Sequence, residues 1–230
     1  MDEPSFETLA VHAGQEPDEL TGAVAPPIYQ TSTYAQEGVG RPTRGYEYAR
    51  SQNPTRERLE RAVAALEGGR HGIAFASGSA ATAAIAELVA PGETILAGDD
   101  VYGGTWRYLE RVAGPRGIAT RWRDLAIDPA GVLRDGLDAT TRLVWLETPS
   151  NPHLKVIDIE AVAERLDARL GARSERPLLI VDNTFASPAL QRPLALGADI
   201  AFHSATKYLA GHSDTVCGIA VTDRDDLAER

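Results

Sequence analysis

The chain has 230 residues, 43% of them hydrophobic and 24% charged, which suits one large globular domain better than two. A formal net charge of -10 leaves no basic patch for a phosphate backbone or an anionic membrane, so neither nucleic acid nor membrane is an expected partner. There is no apolar run of the roughly 18 residues needed to span a bilayer and no signal-peptide order at the acidic N-terminus, and the single cysteine, Cys217, excludes an intrachain disulfide; the expected location is the cytoplasm.

Residues 1 to about 50 carry little periodicity. TGAVAPPIYQTSTY (21–34) and GRPTRGYEYAR (40–50) read as extended segments and turns, an aperiodic arm of the kind that packs on a partner chain. Beyond Asn53-Pro54, the spacing of Leu59, Val63 and Leu66 predicts a helix over 55–69, stopped by Gly68-Gly69. Short apolar runs then alternate with helical stretches. Strands are expected at 72–77, 94–98, 118–123, 142–148, 177–183 and 199–204, and helices at 79–90, 105–113 and 159–171. Such alternation predicts an α/β fold with a mainly parallel sheet, helices on both faces and a ligand beyond the carboxyl ends of the strands.

The residues at those ends are informative in combination. GIAFAS runs into Ser77-Gly78-Ser79, whose small residues and free helix amides suit a phosphate and equally make an ordinary N-cap. No P-loop and no strand-linked Gly-x-Gly-x-x-Gly occurs. TILAG leads to Tyr102 beside two glycines, a ring that suits a planar ligand or simple packing. RLVWLET leads to Asn151 between two prolines, which is also a plain turn. The apolar PLLIVDN ends in Asp182, a carboxylate that needs a cationic ring nitrogen or a protein Arg or Lys as partner. DIAFHS ends in Ser204-Ala205-Thr206-Lys207, where a lysine beside two hydroxyls is a candidate amine nucleophile. An anion cradle, a ring, an amide, a carboxylate and a lysine are the parts that pyridoxal phosphate requires.

The strings VHAG (11–14), TGAVAPPIYQTSTY (21–34), GYEYARSQNPTR (45–56), ALEGG (65–69), FASGSAA (75–81), DDVYGGT (99–105), ETPSNP (147–152), VDNTFASP (181–188), LGADI (196–200) and HSATKYLAGHSD (203–214) cover nearly the whole chain. Through them the sequence resembles the transsulfuration enzymes, the Cys/Met-metabolism enzymes that depend on pyridoxal 5'-phosphate. The resemblance implies an aspartate-aminotransferase-like (fold type I) large domain over 51–230 and an arm over 1–50 that contacts a neighbouring subunit of a homotetramer, a dimer of dimers. It implies that Lys207 binds the cofactor covalently, Asp182 meets its ring nitrogen, and Tyr102 stacks on the ring and moves protons. It further implies that Gly78, Ser79, Ser204 and Thr206 cradle the phosphate, that Asn151 lies near O3′, and that Tyr48 and Arg50 reach the phosphate of the neighbouring subunit.

The implied reaction is γ-elimination or γ-replacement on cystathionine or an O-activated homoserine, a lyase or transferase activity; O-acetylhomoserine sulfhydrylase is an alternative. Ser79 replaces the methionine of many members but keeps the backbone amide, and Gly104 stands where methionine-degrading members carry a cysteine, which disfavours that activity. The chain stops where the family continues into a small C-terminal domain bearing the substrate-carboxylate arginine. A truncated, catalytically inactive fragment that binds the cofactor is therefore the rival reading. A serine hydrolase built on His203-Ser204 or His212-Ser213-Asp214 is disfavoured by the lack of a Gly-x-Ser-x-Gly elbow. His12, His71, His153, His203 and His212 have no metal-binding spacing, so no metal is expected.

Overall fold

A seven-stranded sheet forms the middle of the computed structural model, which describes residues 4–170 and 176–230. The arm is more structured than its composition predicts. It contains helix α1 (Phe6–His12), capped by the Ser5 hydroxyl, and a two-stranded ribbon of β1 (Gln36–Gly38) and β2 (Arg41–Pro42). Helix α2 (Pro54–Glu67) starts where the Asn53 side chain accepts the Thr55 and Arg56 N–H groups. It stops at Gly68, whose φ of 76° only glycine adopts without strain.

There follow β3 (His71–Phe75), α3 (Gly78–Ala86), β4 (Thr94–Gly98), α4 (Gly103–Tyr108), β5 (Ala119–Arg123), α5 (Pro129–Gly136), β6 (Thr141–Glu147), α6 (Ile159–Leu170), β7 (Leu178–Asp182), α7 (Ser187–Leu190), β8 (Ile200–His203), β9 (Gly218–Thr222) and α8 (Asp225–Ala228). The expected end of the helix at Gly171 lies outside the described residues. Helix α3 is shorter than the 79–90 expected, because Leu88 and Val89 close tighter turns onto Ile85 and Ala86. The stretch expected as one helix over 105–113 is α4 followed by a widened turn at Leu109–Ala113.

The strand order is β3-β9-β8-β7-β6-β4-β5. Strands β4 to β8 run parallel, and β9, which the sequence reading did not contain, is antiparallel to both β8 and β3. Strand β3 therefore points the same way as β8. All six expected strands end at one edge of the sheet, and β9 begins there. The α/β architecture with a mainly parallel sheet is the one expected.

Alternation along the strands sorts the core into two faces. Ile95, Ala97, Leu143, Trp145, Leu178, Ile180, Ile200 and Phe202 pack with Ala81, Ile85 and Ala86 of α3. Leu96, Val144, Leu146, Leu179 and Val181 pack under α5 and α6, and Ile219 and Val221 pack under α2. Trp145 meets Phe202 edge-on at 5.2 Å, a pairing worth about 0.5–1.5 kcal/mol beyond the area it buries. Among the described residues, no helix is long and apolar enough to cross a membrane.

Candidate cofactor site

The two-residue period that builds the core also aims the polar groups at the strand ends. Asp182 continues the Leu178–Ile180 series and Glu147 the Leu143–Trp145 series, so both carboxyls lie on the α3 face. Asp182 is 7% exposed. Its Oδ1 accepts the Thr184 N–H at 3.0 Å and the Thr184 hydroxyl, while no hydrogen bond among the described residues reaches Oδ2. Burial pushes the carboxyl above the usual carboxylate range, against the lowering by Thr184 and a smaller one from His203. A nearly buried acid with one oxygen that no hydrogen bond reaches, and with no ion pair to a cationic side chain among the described residues, suits a cation from outside the chain.

The Thr184 hydroxyl links this acid to β8, since it also accepts the Ser204 N–H at 2.8 Å. The Ser204 carbonyl in turn accepts the Lys207 N–H at 3.1 Å. Gly78 presses on the same turn. A Cβ at Gly78 would stand 2.7 Å from Ser204 Cβ, closer than carbon atoms approach. Ser77 caps α3 by accepting the Ala80 N–H at 3.1 Å, which leaves the Gly78 and Ser79 amides at the helix's open end, suited to an anion. Thr206 is locked from below, its hydroxyl exchanging hydrogen bonds with the Cys217 carbonyl and N–H, each 3.1 Å. Lys207 is exposed and lines a cavity of about 670 Å³ with Phe185, Thr206, Tyr208 and Asp214.

Tyr102 and Asn151 meet at a residue the sequence reading passed over. Glu147, 5% exposed, accepts the Tyr102 N–H at 2.8 Å, and the nearby Asn151 N–H also favours the charged form of the same carboxyl. The Tyr102 ring is 49% exposed on the open side of the sheet edge. Asn151 lies between two cis peptide bonds, Thr148–Pro149 and Asn151–Pro152. The loop around it is fastened to the Tyr102 loop by Asp100, which accepts from the Ser150 hydroxyl, from the His153 N–H at 3.0 Å, and lies 2.8 Å from His153 Nδ1.

Eight of the ten expected site residues thus form one connected edge. The donor set fits pyridoxal phosphate: an anion cradle, a ring face, an amide, an acid open to a cation and an amine. Tyr48 and Arg50 stand apart, stacked on each other at 4.9 Å, and no hydrogen bond or ion pair among the described residues ties them to the strand ends. The His203-Ser204 pair does not work together, because His203 faces α2 and Ser204 faces α3. His203 Nε2 lies 2.6 Å from Glu67 Oε1, and Glu67 also accepts from Asn183 Nδ2 at 2.8 Å. Glu147, Thr184 and Glu67 are the residues that the sequence reading missed. The usable signal was an apolar strand ending in an acid, repeated in β6 and β7.

Comparison with known proteins identifies the family and the fold. Residues 7–230 match the family model described as Cys/Met metabolism PLP-dependent enzyme. A probable cystathionine gamma-synthase of Herpetosiphon aurantiacus is 50% identical over 225 residues, 98% of this chain and 68% of that protein. A cystathionine beta-lyase of Coxiella burnetii is 50% identical over 226 residues, 98% of this chain and 56% of that protein. The solved structure of metB from Corynebacterium glutamicum superposes with a TM-score of 0.93 at 42% identity, covering 100% of this chain and 58% of that one. Cystathionine gamma-lyase from Lactobacillus plantarum, complexed with L-serine, gives a TM-score of 0.90 at 44% identity, covering 98% and 57%. The chain therefore spans between just over half and about two thirds of the length of these relatives. With its sheet and its sequence in agreement, the chain belongs to the family of Cys/Met metabolism PLP-dependent enzymes.

Proposed function

We propose that this chain is the cofactor-binding part of a transsulfuration enzyme, with Lys207 as the amine that carries pyridoxal phosphate and Asp182 as the partner of the ring nitrogen. The observation that carries the reading is the buried Asp182 carboxylate, open at Oδ2 and connected through Thr184 and Ser204 to the turn of Lys207. Gly78, Ser79, Ser204 and Thr206 surround the phosphate, Tyr102 covers the ring and Asn151 lies near O3′. Tyr48 and Arg50, on an arm over 1–50, reach the phosphate held by residues 51–230 of a neighbouring subunit. A cytoplasmic dimer of dimers belongs to the same reading.

Pyridoxal phosphate supplies an aldehyde for amines and a ring that withdraws electrons from the substrate's α-carbon. The protein's work is to hold and move protons. Asp182 keeps a proton on the ring nitrogen. With its amine free, Lys207 would take the proton from the substrate's α-carbon, and its flexible four-carbon stem would reach the β-carbon as well. The Tyr102 hydroxyl is the second acid/base at the leaving group.

The substrate in this reading is cystathionine or an O-activated homoserine, attacked at the γ-carbon. Relatives named cystathionine beta-lyase, at 48–50% identity, favour a second reading in which the β-carbon bond of cystathionine breaks. The test is to add pyridoxal phosphate to the chain, reduce with borohydride, map the labelled peptide, and assay unreduced protein with cystathionine. A label on Lys207 is expected. Cysteine, 2-oxobutanoate and ammonia would report γ-cleavage, and homocysteine, pyruvate and ammonia β-cleavage. A label on another lysine overturns the site.

A further inference from the structure

Glu147 closes β6 as Asp182 closes β7, and the two are Cα partners across the parallel ladder. Their side chains share the α3 face, both nearly out of water. No ion pair among the described residues places a cationic side chain on either of them. Asp182 spends its bonds on Thr184, whereas Glu147 accepts the Tyr102 N–H (2.8 Å) and feels the Asn151 N–H of a second loop. One carboxyl thus holds the two segments that carry the ring-covering tyrosine and the O3′ amide.

Like charges on facing strands oppose each other. Burial, and then the Asp182 carboxylate, push Glu147 up to about 8; the Tyr102 and Asn151 N–H groups pull it down, and Asp100, on the loop after β4, adds to the upward push. On the far side of Asp182, His203 of β8 acts in the opposite sense on Asp182. The Glu147 carboxyl is therefore poised to change its charge when the charge facing Asp182 changes.

We propose that Glu147 is a positioning residue whose hold on Tyr102 and Asn151 tightens when a cation meets Asp182, so that the ring nitrogen of bound pyridoxal phosphate organises both loops at once. The inference rests on the reading of Asp182 as the ring-nitrogen partner. A cation there cancels the repulsion on Glu147, which releases its proton to water. An ionised carboxylate then accepts the Tyr102 N–H, and attracts the Asn151 N–H, more strongly than the neutral acid does. The amide needed at O3′ and the ring needed over the cofactor are held firmly only once the cofactor is present.

The test follows the Tyr102 amide of the isotope-labelled full chain by NMR as pH is raised from about 5.5 to 9.5. In the cofactor-free chain this amide shifts with a midpoint near 8, set by Glu147. In Asp182→Asn the midpoint falls by about one unit or more, because the facing charge is gone. In Glu147→Gln the titration disappears. Pyridoxine 5'-phosphate, which brings the ring nitrogen without an aldehyde, lowers the midpoint of the unmutated chain in the same way and needs no variant to fold. An unchanged midpoint in Asp182→Asn, or a titration that persists in Glu147→Gln, overturns the inference. A midpoint lowered by Asp182→Asn but not by pyridoxine 5'-phosphate overturns the assignment of Asp182 to the ring nitrogen, and the coupling with it.

Discussion

His203 Nε2 and Glu67 Oε1 lie 2.6 Å apart with both side chains buried, joining the end of β8 to the last turn of α2. The same Glu67 oxygen accepts from Asn183, which follows Asp182 directly, while His203 directly precedes Ser204. The pair braces from beneath two strand ends whose upper faces carry the candidate site. Glu67→Ala would leave two buried donors without an acceptor, at about 1–3 kcal/mol for each. We expect its urea midpoint to fall with little change in slope, and Glu67→Gln, which keeps an acceptor, to lie between the two. A Glu67→Ala midpoint equal to that of the unmutated chain would show that the brace carries no stability.

Gly78 is a second point where the site depends on close approach. An alanine there brings a Cβ to 2.7 Å from Ser204 Cβ and 2.8 Å from its Cα, so the α3 terminus and the Ser204 turn must separate. Overpacking of this kind costs about 1–3 kcal/mol, and a separation of the cradle weakens phosphate binding at about tenfold per 1.4 kcal/mol. Gly78→Ala is expected to lose at least about tenfold in affinity for pyridoxal phosphate, read by fluorescence titration. Ser79 is exposed and offers its backbone amide, so Ser79→Ala should bind within a few-fold of the unmutated chain. Equal losses in the two variants would contradict a cradle built from backbone.

The contrast between legible and illegible parts follows from how far apart the partners lie. Strands such as PLLIVDN announce themselves locally, as apolar runs that end in a polar residue, and the parallel sheet follows from their alternation with helices. Strand β9 breaks that alternation by returning antiparallel between β3 and β8, a placement set by pairing with distant segments. Glu147 was invisible for the same reason. A glutamate at a strand end reads as a solvated charge until its register with Asp182 is known. His203 beside Ser204 suggested a pair, but the two-residue period sends them to opposite faces, and the true partner, Glu67, lies 136 positions away. The helix in the arm was hidden by its brevity: α1 spans 7 residues, has no buried side chain, and is marked by little more than the Ser5 cap.

Asp100 makes the loops of the site sensitive to acid. Its carboxyl is buried, which disfavours its charge, yet the Ser150 hydroxyl, the His153 ring and the His153 N–H together hold it below the usual carboxylate range. A carboxyl lowered in the folded state stabilises the fold fully above its unfolded value of 3.8, and that contribution is lost as pH falls through the lower, folded value. Asp100→Asn removes the charge at every pH and presents an amide N–H to donors that need an acceptor. The stability gap between Asp100→Asn and the unmutated chain should therefore be widest above about pH 5 and narrow steadily below pH 4. Urea titrations at stepped pH measure it. Because Asp100 ties the Ser150–His153 loop to the segment of Tyr102, hydrogen exchange in residues 150–155 should quicken in the variant at neutral pH and, in the unmutated chain, only on acidification. A gap that stays constant from neutral pH down to pH 3 would mean that this carboxylate does not supply the charge that holds the two loops together.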